Sequence, residues 1–126
     1  MPIHHHMLGK MPSDTERILV PIANEELGAQ SSSAYENVLS PGAEVPLHEH
    51  AVEEIIVCIS GIAECSFNGG AAQRYEAGSV VIIPANTPHS LRNIGADHLR
   101  QLTFFSANTP KTQWHEPQGS VTESGT

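Results

Sequence analysis

The sequence predicts an all-β domain of the sandwich or barrel kind, and three observations carry that prediction. Short runs rich in Val, Ile and aromatic residues recur at turn spacing. Turn residues punctuate them at Pro41-Gly42, Gly61, Asn68-Gly69-Gly70 and Ala77-Gly78. No window repeats its apolar residues with the helical period. At 126 residues the chain suits a single core and is too short for two.

In chain order, residues 1–14 lack apolar periodicity and carry His4, His5 and His6, so they read as an arm or the remnant of a tag. Residues 16–22 (ERILVPI) form a first strand, interrupted at Pro21. Residues 23–30 are a polar connection with room for one helical turn at most. Residues 31–40 form the next strand, which Pro41-Gly42 ends. Residues 53–60 (EEIIVCIS) are apolar on both faces, with Ile56 and Cys58 opposite Ile55, Val57 and Ile59. Such a strand must be covered on both sides. One face can fill a lumen; the other needs a second sheet, the N-terminal arm or a partner subunit.

Gly61 turns the chain into residues 62–67, and Asn68-Gly69-Gly70 is a hairpin signal because positive φ costs little there. Residues 73–76 return to the sheet. Residues 79–83 (SVVII) read as a fully buried strand, 84–88 as a rigid loop, and 99–106 (LRQLTFFS) as the last long strand. The segment 108–126 is polar, with Trp114 as its large apolar anchor. Trp114 is expected to pack over a barrel end or a neighbouring subunit, with a lid over a cavity as the alternative.

A formal net charge of −8 argues against nucleic acid and anionic membrane surfaces, which require a basic footprint. No stretch approaches a membrane span and no signal peptide is apparent, so the cytoplasm is the expected compartment. Two cysteines, Cys58 and Cys65, are too few for a disulfide framework and read as reduced core thiols.

The residues that carry chemistry lie between Gly42 and Asn93. His48 and His50 share one side of an extended chain, and Glu54 keeps their parity. His89 arrives from a separate strand-like segment. Three imidazoles and one carboxylate from two strands can wrap a single divalent metal and leave positions open.

Two spaced patterns run through this region. G-x5-H-x-H-x3-E-x6-G is met at Gly42, His48, His50, Glu54 and Gly61. G-x5-P-x-G-x2-H-x3-N is met at Gly78, Pro84, His89 and Asn93, with Asn86 standing where the pattern has glycine. The chain thereby resembles the cupins, specifically the small single-domain kind. Asn tolerates positive φ better than other non-glycine residues, so the turn at Asn86 survives the substitution.

The resemblance implies a double-stranded β-helix, a jelly-roll barrel with a metal at its mouth, spanning residues 15–107 with 108–126 as a tail. It also implies one divalent ion per chain (Fe, Mn, Ni, Zn, Co or Cu) on His48, His50, Glu54 and His89, a small-molecule substrate and a homodimer.

A metal with four protein ligands and a preference for five or six keeps one or two exchangeable positions. Water bound there becomes more acidic and a bound carbonyl or carboxylate is polarised. These are ingredients of dioxygenase, isomerase and lyase chemistry. No second acid or base is evident. Tyr35 and Gln101 are the weak catalytic candidates, beside Asn37 and Thr103 on strands that could line the lumen, with Ser31 and Ser33 behind them. Arg92, Glu49 and Glu53 have the opposite parity and should face outward. Glu44 is a weak candidate for the barrel mouth.

Three readings follow: a metal-dependent enzyme, a binding or sensing module, and a barrel whose metal is structural.

Overall fold

In the computed structural model, which describes residues 2–8, 11–117 and the backbone of 121–123, the chain is built of strands. Two sheets face each other, antiparallel except for one parallel pair at an edge of the first. The first runs in the order β11 (Val121–Glu123), β1 (Arg17–Ala23), β2 (Ser33–Leu39), β9 (Leu99–Phe105), β4 (Glu54–Ser60), β7 (Val80–Ile83). The second runs β10 (Gln113–Trp114), β3 (Glu44–Glu49), β8 (His89–Asn93), β5 (Ile62–Phe67), β6 (Gln73–Glu76). This is the expected double-stranded β-helix, with no helix among the described residues. The connection 24–30 forms turns in place of the single helical turn its composition allowed.

Strand alternation decides the interior. Leu39, Ile56, Cys58, Ala63, Cys65, Leu91 and Leu99 point inward and form one buried cluster with Tyr75 and Ile83. Both cysteines are free and buried, as the core-thiol reading expects. Burial pushes the Cys65 thiol up to about 12 and raises that of Cys58, so neither is a ready nucleophile at neutral pH.

Pro21 fits inside β1 because, among the described residues, β11 pairs only with Arg17, Ile18 and Leu19 and no strand lies on the edge beside Pro21. Gly61 has φ 103°, and a Cβ there would lie 2.9 Å from the Leu99 backbone. Only glycine fits that approach.

The outer faces are covered unevenly. The N-terminal segment runs over β1 and β2. His6 Nε2 lies 2.8 Å from Glu36 Oε1, and the Ser40 hydroxyl donates to the Ser13 carbonyl at 2.6 Å. Beneath it Ile18, Val20 and Val38 are buried. The segment therefore packs as part of the fold.

Among the described residues no such cover lies over β4 and β7. The strand at 79–83, expected to be fully buried, is instead half open: Val80 is 56% and Ile82 61% exposed. The reason is position. β7 is the last strand of its sheet: its inward residues Val81 and Ile83 meet the core, while Val80 and Ile82 face away from it.

Candidate metal centre

β3, β4 and β8 each deliver one part of a single cluster. His48 pairs in register with His89 across β3 and β8, after an irregularity between Val45 and His48. β4 begins at Glu54, in register with Phe105 of β9 and Ile83 of β7. The loop before β8 turns through Asn86, whose φ of 59° matches the tolerance predicted for this position. Its amide donates to the His50 carbonyl at 2.7 Å and ties the two ligand-bearing segments together.

One potential donor atom each from His48, His50, Glu54 and His89 lies within 4.8 Å of the others, and all four residues are buried. Ligands about 2.0–2.2 Å from one ion on opposite sides would be a little over 4 Å apart, so the cluster has the dimensions of a mononuclear site.

Hydrogen bonds fix which imidazole nitrogen faces inward. His48 Nδ1 donates to the Pro46 carbonyl (2.6 Å), His89 Nδ1 to the Thr87 carbonyl (2.8 Å), and His50 Nδ1 to the Lys111 carbonyl (3.0 Å). A carbonyl oxygen can only accept, so each Nδ1 carries hydrogen and Nε2 is the nitrogen each ring turns inward. Such backbone-anchored imidazoles are the ordinary support of metal-ligating histidines.

Glu54 Oε1 stands 3.1 Å from His89 Nε2 and 3.5 Å from His50 Nε2. A proton on Nε2 can bridge one such contact, whereas a divalent ion could satisfy all four groups together. His48 is prepared as a neutral ligand: burial, then the neighbouring His89 ring, pushes it down to about 3.

The cluster opens into a cavity of about 400 Å³, within the range of small-ligand sites. Val45, Leu91 and Phe105 supply apolar walls, while Tyr35, Asn37 and Thr103 add polar groups. Gln101 is fully buried beneath it and accepts a hydrogen bond from the Tyr75 hydroxyl at 2.8 Å. That places Gln101 in the core and off the cavity wall. Glu44 and Arg92 are exposed and pair in register away from the cavity, so Glu44 is not at the mouth. Glu49 lies outside as its parity predicts, bonded to His115 at 2.8 Å. Ser33 is tied to the Ala107 carbonyl at 2.7 Å.

Two groups of cavity residues were not legible from spacing. Arg17 and Leu19 line the cavity from β1, and Asn24, Glu25 and Glu26 form part of its rim. The tail supplies the rest. β10 adds to β3 with Trp114 opposite His48, the two rings 4.8 Å apart. Trp114 thus lines the cavity on the His48 side. The hydrophobic character of Trp114 in a polar tail was the available signal; its register against His48 was not.

The cupin-domain family matches residues 36–105, more than half of the chain. The chain belongs to the cupin family. This cupin is 30% identical over 87 residues to auxin-binding protein 1 of Arabidopsis thaliana, a stretch covering 63% of this chain and 44% of that protein. It therefore spans under half the length of that curated relative.

A Klebsiella pneumoniae protein with a double-stranded β-helix domain superposes with a TM-score of 0.75 at 21% identity, covering 86% of each chain, and shares the fold. Oxalate decarboxylase of Lactobacillus farciminis, solved with formate, superposes with a TM-score of 0.70 at 25% identity, over 77% of this cupin and 30% of that enzyme.

Proposed function

We propose that this cupin holds one divalent metal ion on His48, His50, Glu54 and His89 and is an enzyme acting on a small oxygenated organic molecule, of dioxygenase, isomerase or lyase type. The observation that carries the reading is the set of Nδ1 hydrogen bonds to backbone carbonyls, which turns Nε2 toward a carboxylate.

When bound, the metal supplies Lewis-acid polarisation of a ligand oxygen, or redox chemistry if it is iron, manganese or copper. The chain's own contribution is positional. Pro46, Thr87 and Lys111 carbonyls hold the rings, Val45, Leu91 and Phe105 line the cavity with apolar surface, and Thr103 adds a hydroxyl to its wall.

The likeness to oxalate decarboxylase, solved with a small carboxylate, supports a small acid or carbonyl compound as substrate. Elemental analysis of the purified protein tests the metal. We expect one ion per chain, lost in His50→Ala and His89→Ala. Variants that retain metal as tightly as the parent would refute the ligand assignment. Oxygen uptake on substrate addition then separates a dioxygenase from a redox-neutral isomerase or lyase.

A second reading is a non-catalytic ligand-binding barrel, favoured by the 30% identity to auxin-binding protein 1 and by the apolar part of the cavity wall. Stoichiometric binding without turnover decides for it.

The same proposal includes a homodimer through the uncovered sheet face. Ile82, Ile55 and Phe104 form one cross-strand row, and Val80, Val57 and Leu102 the next. With Ile59 and Phe104 51% and 39% exposed, the patch is contiguous, and surfaces of this kind mark interfaces. Sedimentation should give a dimer that Ile82→Lys converts to a monomer. The buried free thiols suit the reducing cytoplasm as the compartment.

A further inference from the structure

The metal cluster accounts for four buried polar residues and leaves an amide beside them without a role. Asn37 lies on the inward face of β2, lines the cavity and is only 6% exposed. Its Oδ1 has no hydrogen-bond partner among the described residues. The neighbours explain why. On one side Asn37 is in register with Leu19 of β1, whose side chain has no polar atom. On the other it is in register with Gln101 of β9, whose Oε1 already accepts from the Tyr75 hydroxyl at 2.8 Å.

Gln101 adds a second observation. Its Nε2 is also buried and also without a partner among the described residues. Directly opposed residues have Cβ atoms about 4.5–5.5 Å apart, so an acceptor and a donor stand side by side. They do not bond to each other. A buried acceptor left open costs stability, and an apolar side chain of the same shape would remove that cost. The amide is therefore a poor choice for packing beside Leu19 and Leu39. It suits an occupant of the cavity that brings a hydrogen.

The pair of open atoms selects the group. An ether or carboxylate oxygen cannot donate to Asn37, and an ammonium cannot accept from Gln101; a hydroxyl does both through one oxygen. Asn37 belongs to the first sheet, His48 and His89 to the second. Facing sheets lie about 10 Å apart, so once side chains and a metal take their share only a short molecule spans the gap.

We propose that Asn37 forms a hydroxyl subsite, accepting a hydrogen bond from a small hydroxy acid whose carboxylate reaches the metal. The inference rests on the metal-dependent reading above and names its substrate class. Gln101 donates to the same hydroxyl oxygen from beneath. A site built around a ligand hydroxyl rejects the analogue that lacks it far more strongly than an apolar pocket rejects a missing methylene, because its own polar groups are then left unpaired.

Trp114 is the single tryptophan of the chain and lines the same cavity, so its emission reports occupancy. Zinc-loaded full-length protein, its metal content measured first, is titrated with glycolate, β-hydroxypropionate and γ-hydroxybutyrate. The matching acids acetate, propionate and butyrate follow, and then the methyl ethers methoxyacetate, β-methoxypropionate and γ-methoxybutyrate. Each ether keeps an oxygen that can bind zinc and removes the hydrogen that Asn37 accepts.

At least one hydroxy acid should bind ten-fold or more tightly than both its acid and its ether. Asn37→Leu should bring that ratio close to one by weakening the hydroxy acid, with metal content unchanged. Its ligand-free melting temperature should equal or exceed that of wild type, since the open acceptor is gone. Asn37→Asp keeps an acceptor and should keep the ratio, because its added charge acts on every member of the series alike.

A preference that survives in Asn37→Leu puts the hydroxyl on the metal or another wall and overturns the inference. If that variant also melts lower, Asn37 and Gln101 serve each other in the core. Metal-loaded wild type that treats acid, ether and hydroxy acid alike overturns it too, and in each case the metal reading stands. A protein that binds no metal overturns both. If Asn37→Leu does not fold, the wild-type and Asn37→Asp ratios decide.

Discussion

Removing the C-terminal strap by ending the chain at Pro110 should weaken metal binding without removing a ligand. The strap gives the site two things: the Lys111 carbonyl, which receives the His50 Nδ1 hydrogen at 3.0 Å, and Trp114, packed on the His48 ring. Without the carbonyl, His50 can exchange tautomers and rotate, so its Nε2 is no longer pre-aimed. Loss of a supporting hydrogen bond of this type typically costs about 10–100-fold in metal affinity, or roughly 1.4–2.8 kcal/mol. His48 and His89 keep their own anchors at Pro46 and Thr87, and both lie outside the deleted segment. The loss should therefore stay in that range and not reach the abolition expected for His50→Ala. Competition for zinc against a chelator of known affinity measures it, with circular dichroism confirming the fold. Undiminished zinc affinity in the shortened chain would show that the strap does not orient His50, and the second-sphere argument would fail.

Asn93→Ala should cost about 2–4 kcal/mol, because its amide donates to the Leu39 and Asp97 carbonyls and its oxygen accepts from Gly95, each at 2.9 Å, inside the protein. Thermal melts check this, and a shift of only a degree or two would contradict the assignment of Asn93 as a staple of the β8 end. Asn86→Gly should change stability by less than about 1 kcal/mol, since glycine also adopts positive φ readily and the backbone bond to His50 survives.

Burial opposes ionisation of Glu36, but hydrogen bonds to His6 and Arg100 outweigh it and hold its carboxyl below the usual 4.5. Its stabilising contribution is present above pH 4.5 and disappears as pH falls from there through the folded-state value. Melting temperatures of wild type and Glu36→Gln should converge in that acid window; parallel curves would exclude the linkage.

How legible the protein was depends on which residues are asked about. The clustered residues were readable because strand parity is local: His48 and His50 must share a face, and Glu54 and His89 follow at fixed offsets in two known patterns. Asn86 was readable for the same reason, since positive φ is a property of the residue and its turn.

Arg17, Trp114 and the edge position of β7 were not readable. Arg17 stands 31 positions before His48 in the sequence and meets the cavity only when β1 faces β3 across the barrel. The SVVII run is apolar enough for a buried strand, but exposure was set by its place as the last strand of the sheet. Likewise a polar tail gave no register, and only pairing with β3 brought Trp114 onto His48.

By itself, then, the sequence determined most of the strands and turns and the residues of the donor cluster, because alternation and backbone dihedrals act over a few residues. The tertiary structure alone decided what surrounds those atoms. Cavity walls are made by segments distant in the chain, and their meeting depends on sheet order, which no local preference encodes.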